Sequence, residues 1–116
     1  MEQTLCLYSN EGCGMKDIQN SEQIQTVGSS LSGKIYTTYD QLVEAFGAPT
    51  FMDRNPDEKI QVEWVLLIDG IVATIYNWKL GYVPYDLYDW HIGGFNKGEV
   101  EAVQAALNIY KEECLS

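Results

Sequence analysis

Positive charge is what this sequence has least of. Seven Lys and Arg stand against 17 Asp and Glu in 116 residues, a formal net charge of −10 with a pI near 4.2. Binding to a nucleic-acid backbone relies on clustered Lys and Arg that displace counterions, so direct nucleic-acid backbone binding is not expected. Histidine occurs once, at His91, and the three cysteines, Cys6, Cys13 and Cys114, form no C-x-x-C pair. That leaves no recognisable zinc ligand set, and no metal is expected. The odd cysteine count reads as free thiols in a reducing compartment, with a Cys6–Cys13 bridge in a secreted protein as the alternative. No stretch approaches the roughly 18 apolar residues of a membrane span, so no membrane partner is expected. The opening MEQTLCLYSNEGCG lacks the basic and apolar regions of a secretory signal. A Gly-x-Ser-x-Gly nucleophile elbow, a Walker A loop and a Gly-x-Gly-x-x-Gly fingerprint are all missing. The expectation is therefore no enzyme and no cofactor.

What is present suits one folded domain. Hydrophobic residues make up 46% and aromatic ones 12% of the chain, too much for a disordered protein of this length. Residues 1–33 stand apart as an N-terminal arm, partly ordered, with one strand-like stretch at Leu5–Tyr8 and then a tract rich in Gly, Ser, Gln and Asn. The remaining residues, 34–116, read as a single α+β domain.

Local signals within that domain are strong. Thr38 and Gln41 fit a capping box ahead of a helix over Thr38–Phe46, and Gly47 and Pro49 end it. Leu42, Val43 and Phe46 form its apolar stripe. Gln61–Ile68 and Ile71–Trp78 are β-rich runs separated by Asp69-Gly70, the sequence of a two-residue type I′ turn. That turn sets the register, with 68 opposite 71, 66 opposite 73 and 64 opposite 75. One hairpin face, Val62 to Asn77 on even and then odd positions, is almost wholly apolar and is expected to meet the helices. The other holds Glu63, Val65, Leu67, Val72, Thr74, Tyr76 and Trp78, too apolar to stand entirely in water. The arm or a second subunit is expected to cover part of it. A third strand, Tyr88–Ile92, ends at Gly93-Gly94, and a last helix starts near Asn96 with Glu99 as a capping-box acceptor. Val100, Val103, Leu107, Tyr110 and Cys114 recur at helical spacing. The architecture implied is an antiparallel sheet, a central Asp-Gly hairpin plus a third strand, packed by two helices.

Three groups of residues invite a functional reading. Asp89 and His91 share a strand face, as an orienting carboxylate and an imidazole do in catalysis, but without a nucleophile the structural reading is preferred. Gly93, Gly94, Asn96 and Lys97 lie between a strand and a helix start, where backbone amides favour anions; a tight turn built from small residues is the preferred reading. The polar-aromatic strand ends are the best candidates for ligand or partner binding: Tyr76, Asn77, Trp78 and Lys79 on one strand, Asp89 and His91 on the next. Aromatic rings with a few hydrogen-bonding groups suit a planar ligand or a protein hot spot.

TTYDQLVEAFGAPTF, VEWVLLIDGIVATIYNWK and YDWHIGG together resemble a family of small uncharacterised proteins of phages and large DNA viruses. The resemblance covers about residues 34–107, and its most specific pieces are Val72–Lys79 and Asp89–Gly94. It implies a viral origin and the cytoplasm of an infected host cell, and brings no activity. The helix, Gly47-Ala48-Pro49 and the Trp-containing hairpin are also similar to the repeat of β-lactamase-inhibitor-type domains, which implies only an α+β fold. The function expected is that of a non-enzymatic viral accessory protein binding a host or viral macromolecule, a protein partner above all, to counter host defence. Alternatives are a binder of nucleotide-like small ligands at the aromatic cluster and Gly-Gly loop, and an acidic mimic of nucleic acid. A homodimer is a further option. The acids are spread, with −3 on residues 1–33 (four acids, one base) and −7 on 34–116 (13 acids, six bases). That spread disfavours the mimic, which needs its carboxylates in one phosphate-like array.

Overall fold

The computed structural model describes residues 17–115, with side chains up to Glu112. The expected strand at Leu5–Tyr8, the thiols of Cys6 and Cys13, and the side chain of Cys114 lie outside the described residues. Element order is β1 (Ile18–Asn20), β2 (Ser30–Thr37), α1 (Tyr39–Phe46), β3 (Phe51–Met52), β4 (Val62–Ile68), β5 (Ile71–Tyr76), β6 (Tyr88–Gly94) and α2 (Glu99–Leu115). The strands form one antiparallel sheet in the order β1-β4-β5-β6-β2, with β3 also paired to β4. Two helices pack on one face, so the fold is α+β.

The Asp-Gly hairpin forms in the expected register: Ile68 faces Ile71, Leu66 faces Ala73 and Trp64 faces Ile75. Both turn residues take positive φ, 50° at Asp69 and 84° at Gly70, as a type I′ turn demands. Val62, Trp64, Leu66, Ile68, Ala73 and Ile75 are buried under Leu42 and Phe46 of α1 and Ala102, Val103, Ala106 and Leu107 of α2.

Two tryptophans organise this core. Trp64 and Trp90 meet edge to face with centroids 5.5 Å apart. Each indole N–H donates to a carbonyl flanking α1: Trp90 to Thr37 just before it (3.1 Å) and Trp64 to Gly47 just after it (2.8 Å). Helix ends leave backbone groups without intrahelical partners, and here buried rings supply donors beside both ends of an eight-residue helix. Thr38 caps the start as expected, its hydroxyl accepting from the Gln41 amide at 3.1 Å. The Gln41 side chain turns instead to accept from the Thr37 hydroxyl.

Several boundaries differ from the sequence expectation. Residues 17–33 are not separate from the sheet. β1 pairs with β4, and β2 runs through the expected boundary at 33/34 to pair with β6 along its length. β6 extends to Gly94, so Gly93 and Gly94 are strand residues rather than loop. α2 starts at Glu99, because Asn96 takes a positive φ of 61° and Gly98 accepts the first helical hydrogen bond, from Ala102.

The connection 21–29 links the two outer strands, a span of roughly 19 Å at about 4.8 Å per strand. In β2, beyond that connection, the Ser30 carbonyl oxygen lies 3.2 Å from the position a Gly93 Cβ would occupy on the face away from the helices. Val65 and Thr74 on that face are buried, as expected for a partly covered surface. A register shift between Leu31 and Gly33 in β2 brings Leu31, Lys34 and Tyr36 all onto the helix-free face. A bulge and a lysine on an outer strand are devices that discourage strand addition.

Candidate functional site on the helix-free sheet face

Register alone assembles a row of side chains across five strands. Phe51 pairs with Glu63, Glu63 with Tyr76, Tyr76 with His91 and His91 with Lys34. Directly opposite residues in an antiparallel sheet point the same way, so an acid, a phenol, an imidazole and an ammonium stand side by side. Tyr76 and His91 stack, with centroids 5.5 Å apart and planes 26° from parallel. Trp78 follows at 6.4 Å from Tyr76, edge to face. Large apolar side chains rim this row: Leu31 is 56% exposed, Tyr36 65%, Phe51 44% and Trp78 38%.

Burial is the largest influence on how three groups in the row titrate. It pushes the Glu63 carboxyl up from its usual value. Burial, with the Glu63 charge next, pushes the Tyr76 phenol up as well. His91 is held below the usual imidazole value, by burial first and then by the Lys34 charge; Asp89 acts in the opposite direction. No hydrogen bond joins Asp89 to His91, and His91 Nδ1 is buried without a hydrogen-bond partner among the described residues. The two residues therefore share a face without forming the oriented pair that acid–base catalysis uses.

A testable consequence concerns Glu63. Its folded-state value is raised, so the folded protein disfavours the ionised form. The penalty begins as pH rises above the ordinary value of 4.5 and is complete above the raised one. Glu63→Gln is expected to raise the thermal midpoint at neutral pH, with the gain vanishing in acid. Melting curves across pH check this, and an unchanged or lowered midpoint at pH 7 would contradict it.

The structure brings Tyr76, Trp78, Asp89 and His91 to this face with Lys79 beside Trp78, and it gives Asn77 and the glycine segment structural places. Asn77 was expected among the binding residues; it is instead fully buried on the opposite face. Its Oδ1 accepts from the amides of Gln61 (2.8 Å) and Val62 (3.0 Å), and its Nδ2 donates to Gln61 Oε1 (2.7 Å). Gln61 Nε2 in turn holds the carbonyls of Asn55 and Glu58. Asn77 is thus the centre of a buried network that shapes the loop before β4.

The glycine segment is likewise structural. A Cβ on Gly93 would sit 2.8 Å from Thr74 Oγ1, and one on Gly94 only 2.5 Å from Glu99 Cδ. Glu99 is 1% exposed. It accepts from the Asn96 amide (3.0 Å), the Lys97 amide (2.8 Å) and the Ser32 hydroxyl. Burial alone would raise this carboxyl, yet the Ser32 hydroxyl and the backbone amides outweigh it and hold it below the usual range. The amides of Asn96 and Lys97, offered by the sequence as an anion site, are occupied by the protein's own carboxylate.

Sequence reasoning passed over Leu31 and Phe51 of the rim and four polar or charged neighbours. Glu63 was within reach, since the hairpin register that sets 64 opposite 75 also sets 63 opposite 76. Lys34 and Tyr36 depend on the β2–β6 pairing, which no local pattern announces. Lys59 comes from a loop and has no sequence signal; its carbonyl accepts from the Lys79 amide at 2.7 Å. The ammonium groups of Lys59 and Lys79 lie 5.8 and 5.7 Å from the Trp78 ring centroid.

No family model, curated protein or solved structure matches this chain. Among the described residues, no helix is long and apolar enough to cross a membrane.

Proposed function

We propose that this chain is a non-catalytic binding protein that takes a protein partner on the helix-free face of its sheet. The observation that carries this reading is the ring of exposed Leu31, Tyr36, Phe51 and Trp78 around the stacked Tyr76–His91 pair. Aromatic residues ordered by their neighbours bury large areas at little entropic cost, and such residues dominate protein interfaces. Phe51 at one end of the row and the exposed Lys34 at the other give a partner an apolar and a charged contact that fix its orientation. The net charge of −10 favours a partner with a basic surface, since long-range attraction speeds encounter. The resemblance of Val72–Lys79 and Asp89–Gly94 to small viral proteins supports the further reading of an accessory function that counters host defence in the cytoplasm of an infected host cell.

The test uses paired variants. Leu31→Lys with Tyr36→Lys alters two exposed side chains and is expected to leave the melting curve unchanged. Immobilised wild-type protein should retain a defined partner from infected-cell lysate, and purified partner should bind it with at least about tenfold higher affinity than the double variant. Equal binding to both would overturn the assignment of this face.

A further inference from the structure

Beside Trp78, at the end of the sheet, lies a second arrangement that shares only that ring with the partner surface. The loop before β4 and the turn after β5 border an open concavity of about 330 Å3 lined by residues 56–59 and 79–81. That volume is near the lower end of the range for small-ligand sites. Its walls are set by the Asn77–Gln61 network and by the Lys79 amide bonded to the Lys59 carbonyl, so the two loops are held together before any ligand arrives.

Three features give the concavity a chemical character. Lys59 and Lys79 both line it, and neither ammonium is paired with a carboxylate among the described residues. In a chain with 17 acids and seven bases, two neighbouring lysines without an acidic partner go against the composition. Both instead face one indole, that of Trp78, the only exposed tryptophan of the three. Lys79 also holds a φ of 60°, a left-handed conformation that lysine rarely adopts. Strain of this kind persists where the surroundings enforce it and is often found at functional sites. On the remaining wall, Asp57 and Glu58 offer hydrogen-bond acceptors. A bare anion would gain nothing from those two acids. A ligand that carries an anion and hydroxyl or amino donors uses these walls, and a flat ring attached to it reaches Trp78 beside them.

We infer that this concavity binds a nucleoside monophosphate. The phosphate lies between the Lys59 and Lys79 ammonium groups, the base stacks on the face of Trp78 that they vacate, and the ribose hydroxyls donate to Asp57 and Glu58. Base–indole stacking tolerates any base, so the site selects for the phosphate and sugar rather than for one nucleobase. The base and a partner on the sheet face would both claim Trp78, but Lys59 and Lys79 serve only the concavity and Leu31 and Tyr36 only the sheet face, so either reading can fail alone.

Trp64 and Trp90 are buried, so the acrylamide-quenchable part of the fluorescence reports on Trp78. Titration with AMP is expected to change that part saturably, with adenosine and inorganic phosphate each at least about tenfold weaker. Lys59→Gln and Lys79→Gln should each weaken AMP by about tenfold. Lys79→Gly should do the same while leaving the thermal midpoint unchanged or raised, because glycine accepts a positive φ without strain; a merely structural lysine would not separate the two readouts. Absence of saturation by about 10 mM AMP, phosphate binding as tightly as AMP, or AMP affinity indifferent to both Lys→Gln changes would each overturn the assignment.

Discussion

Trp64→Ala is expected to cost about 3–5 kcal/mol, the range for removing a large ring from a close-packed core. The total stability of a domain this size is about 5–15 kcal/mol, so the variant should be close to unfolding at room temperature. The loss has two parts. One is the cavity beneath α1 and against Trp90, where the two rings now meet edge to face. The other is the donor to the Gly47 carbonyl at the end of α1. Trp64→Phe separates them, since it keeps most of the packing and removes the donor; about 1 kcal/mol is expected from the hydrogen bond, plus a smaller packing loss. Trp90→Phe should behave alike through Thr37. Urea unfolding midpoints for these three variants check this, and a Trp64→Ala protein within about 1 kcal/mol of wild type would show that the core repacks freely.

The second large effect falls on the join between β6 and α2. Gly94→Ala is expected to destabilise by about 3 kcal/mol or more, combining a steric clash with lost hydrogen bonds to a charged group. The new methyl group would stand 2.5 Å from Glu99 Cδ. The three atoms nearest to it all belong to the Glu99 side chain, so the methyl group can enter only if the carboxylate leaves its place. Displacing Glu99 strips acceptors from the Asn96 and Lys97 amides and from Ser32. Glu99→Gln tests the charge separately. Its folded-state value lies below the usual one, so the contribution is complete above the ordinary carboxylate value and is lost as pH falls through the depressed value. Wild type should therefore exceed Glu99→Gln in stability at neutral pH, and the gap should close in acid. A gap constant with pH would show that the carboxylate charge is not involved.

Glu63 and Glu99 titrate in opposite senses for a physical reason visible only in the fold. Both are acids taken out of water. Glu99 meets three donors and keeps its charge at a profit, whereas Glu63 is opposed by a phenol and a phenylalanine ring and does not. Neither environment can be read from VEWVLL or GEVEAV, because the deciding neighbours lie on other strands.

The candidate site was legible to a similar, partial degree. Tyr76, Trp78, Asp89 and His91 stand out in the sequence as a polar-aromatic group at strand ends, and adjacent strands do bring them to one face. Asn77 carries the same composition signal, but strand alternation turns it to the other side, where its partners are 15 and 16 residues away. Gly93 and Gly94 look like a ligand-cradling loop until the buried Glu99 carboxylate is seen pressed against the second of them.

The sequence by itself determined the elements whose causes are local. Asp69-Gly70 dictates the turn and hence the register of β4 and β5. Thr38, Gly47 and Pro49 delimit α1, and the 3/4 spacing from Val100 to Tyr110 gives α2 its buried side. The α+β class follows from those pieces. Only the tertiary structure decided where the arm goes. SLSGKIYT has little intrinsic strand preference and buries only Ile35 and Thr37. It becomes β2 because the open edge of β6 offers it a full ladder of backbone hydrogen bonds. That long-range pairing completes the helix-free face by adding Leu31, Lys34 and Tyr36. In the same way, the contact between Lys59 and Lys79 exists only because a buried Asn77 ties two loops together across the end of the sheet.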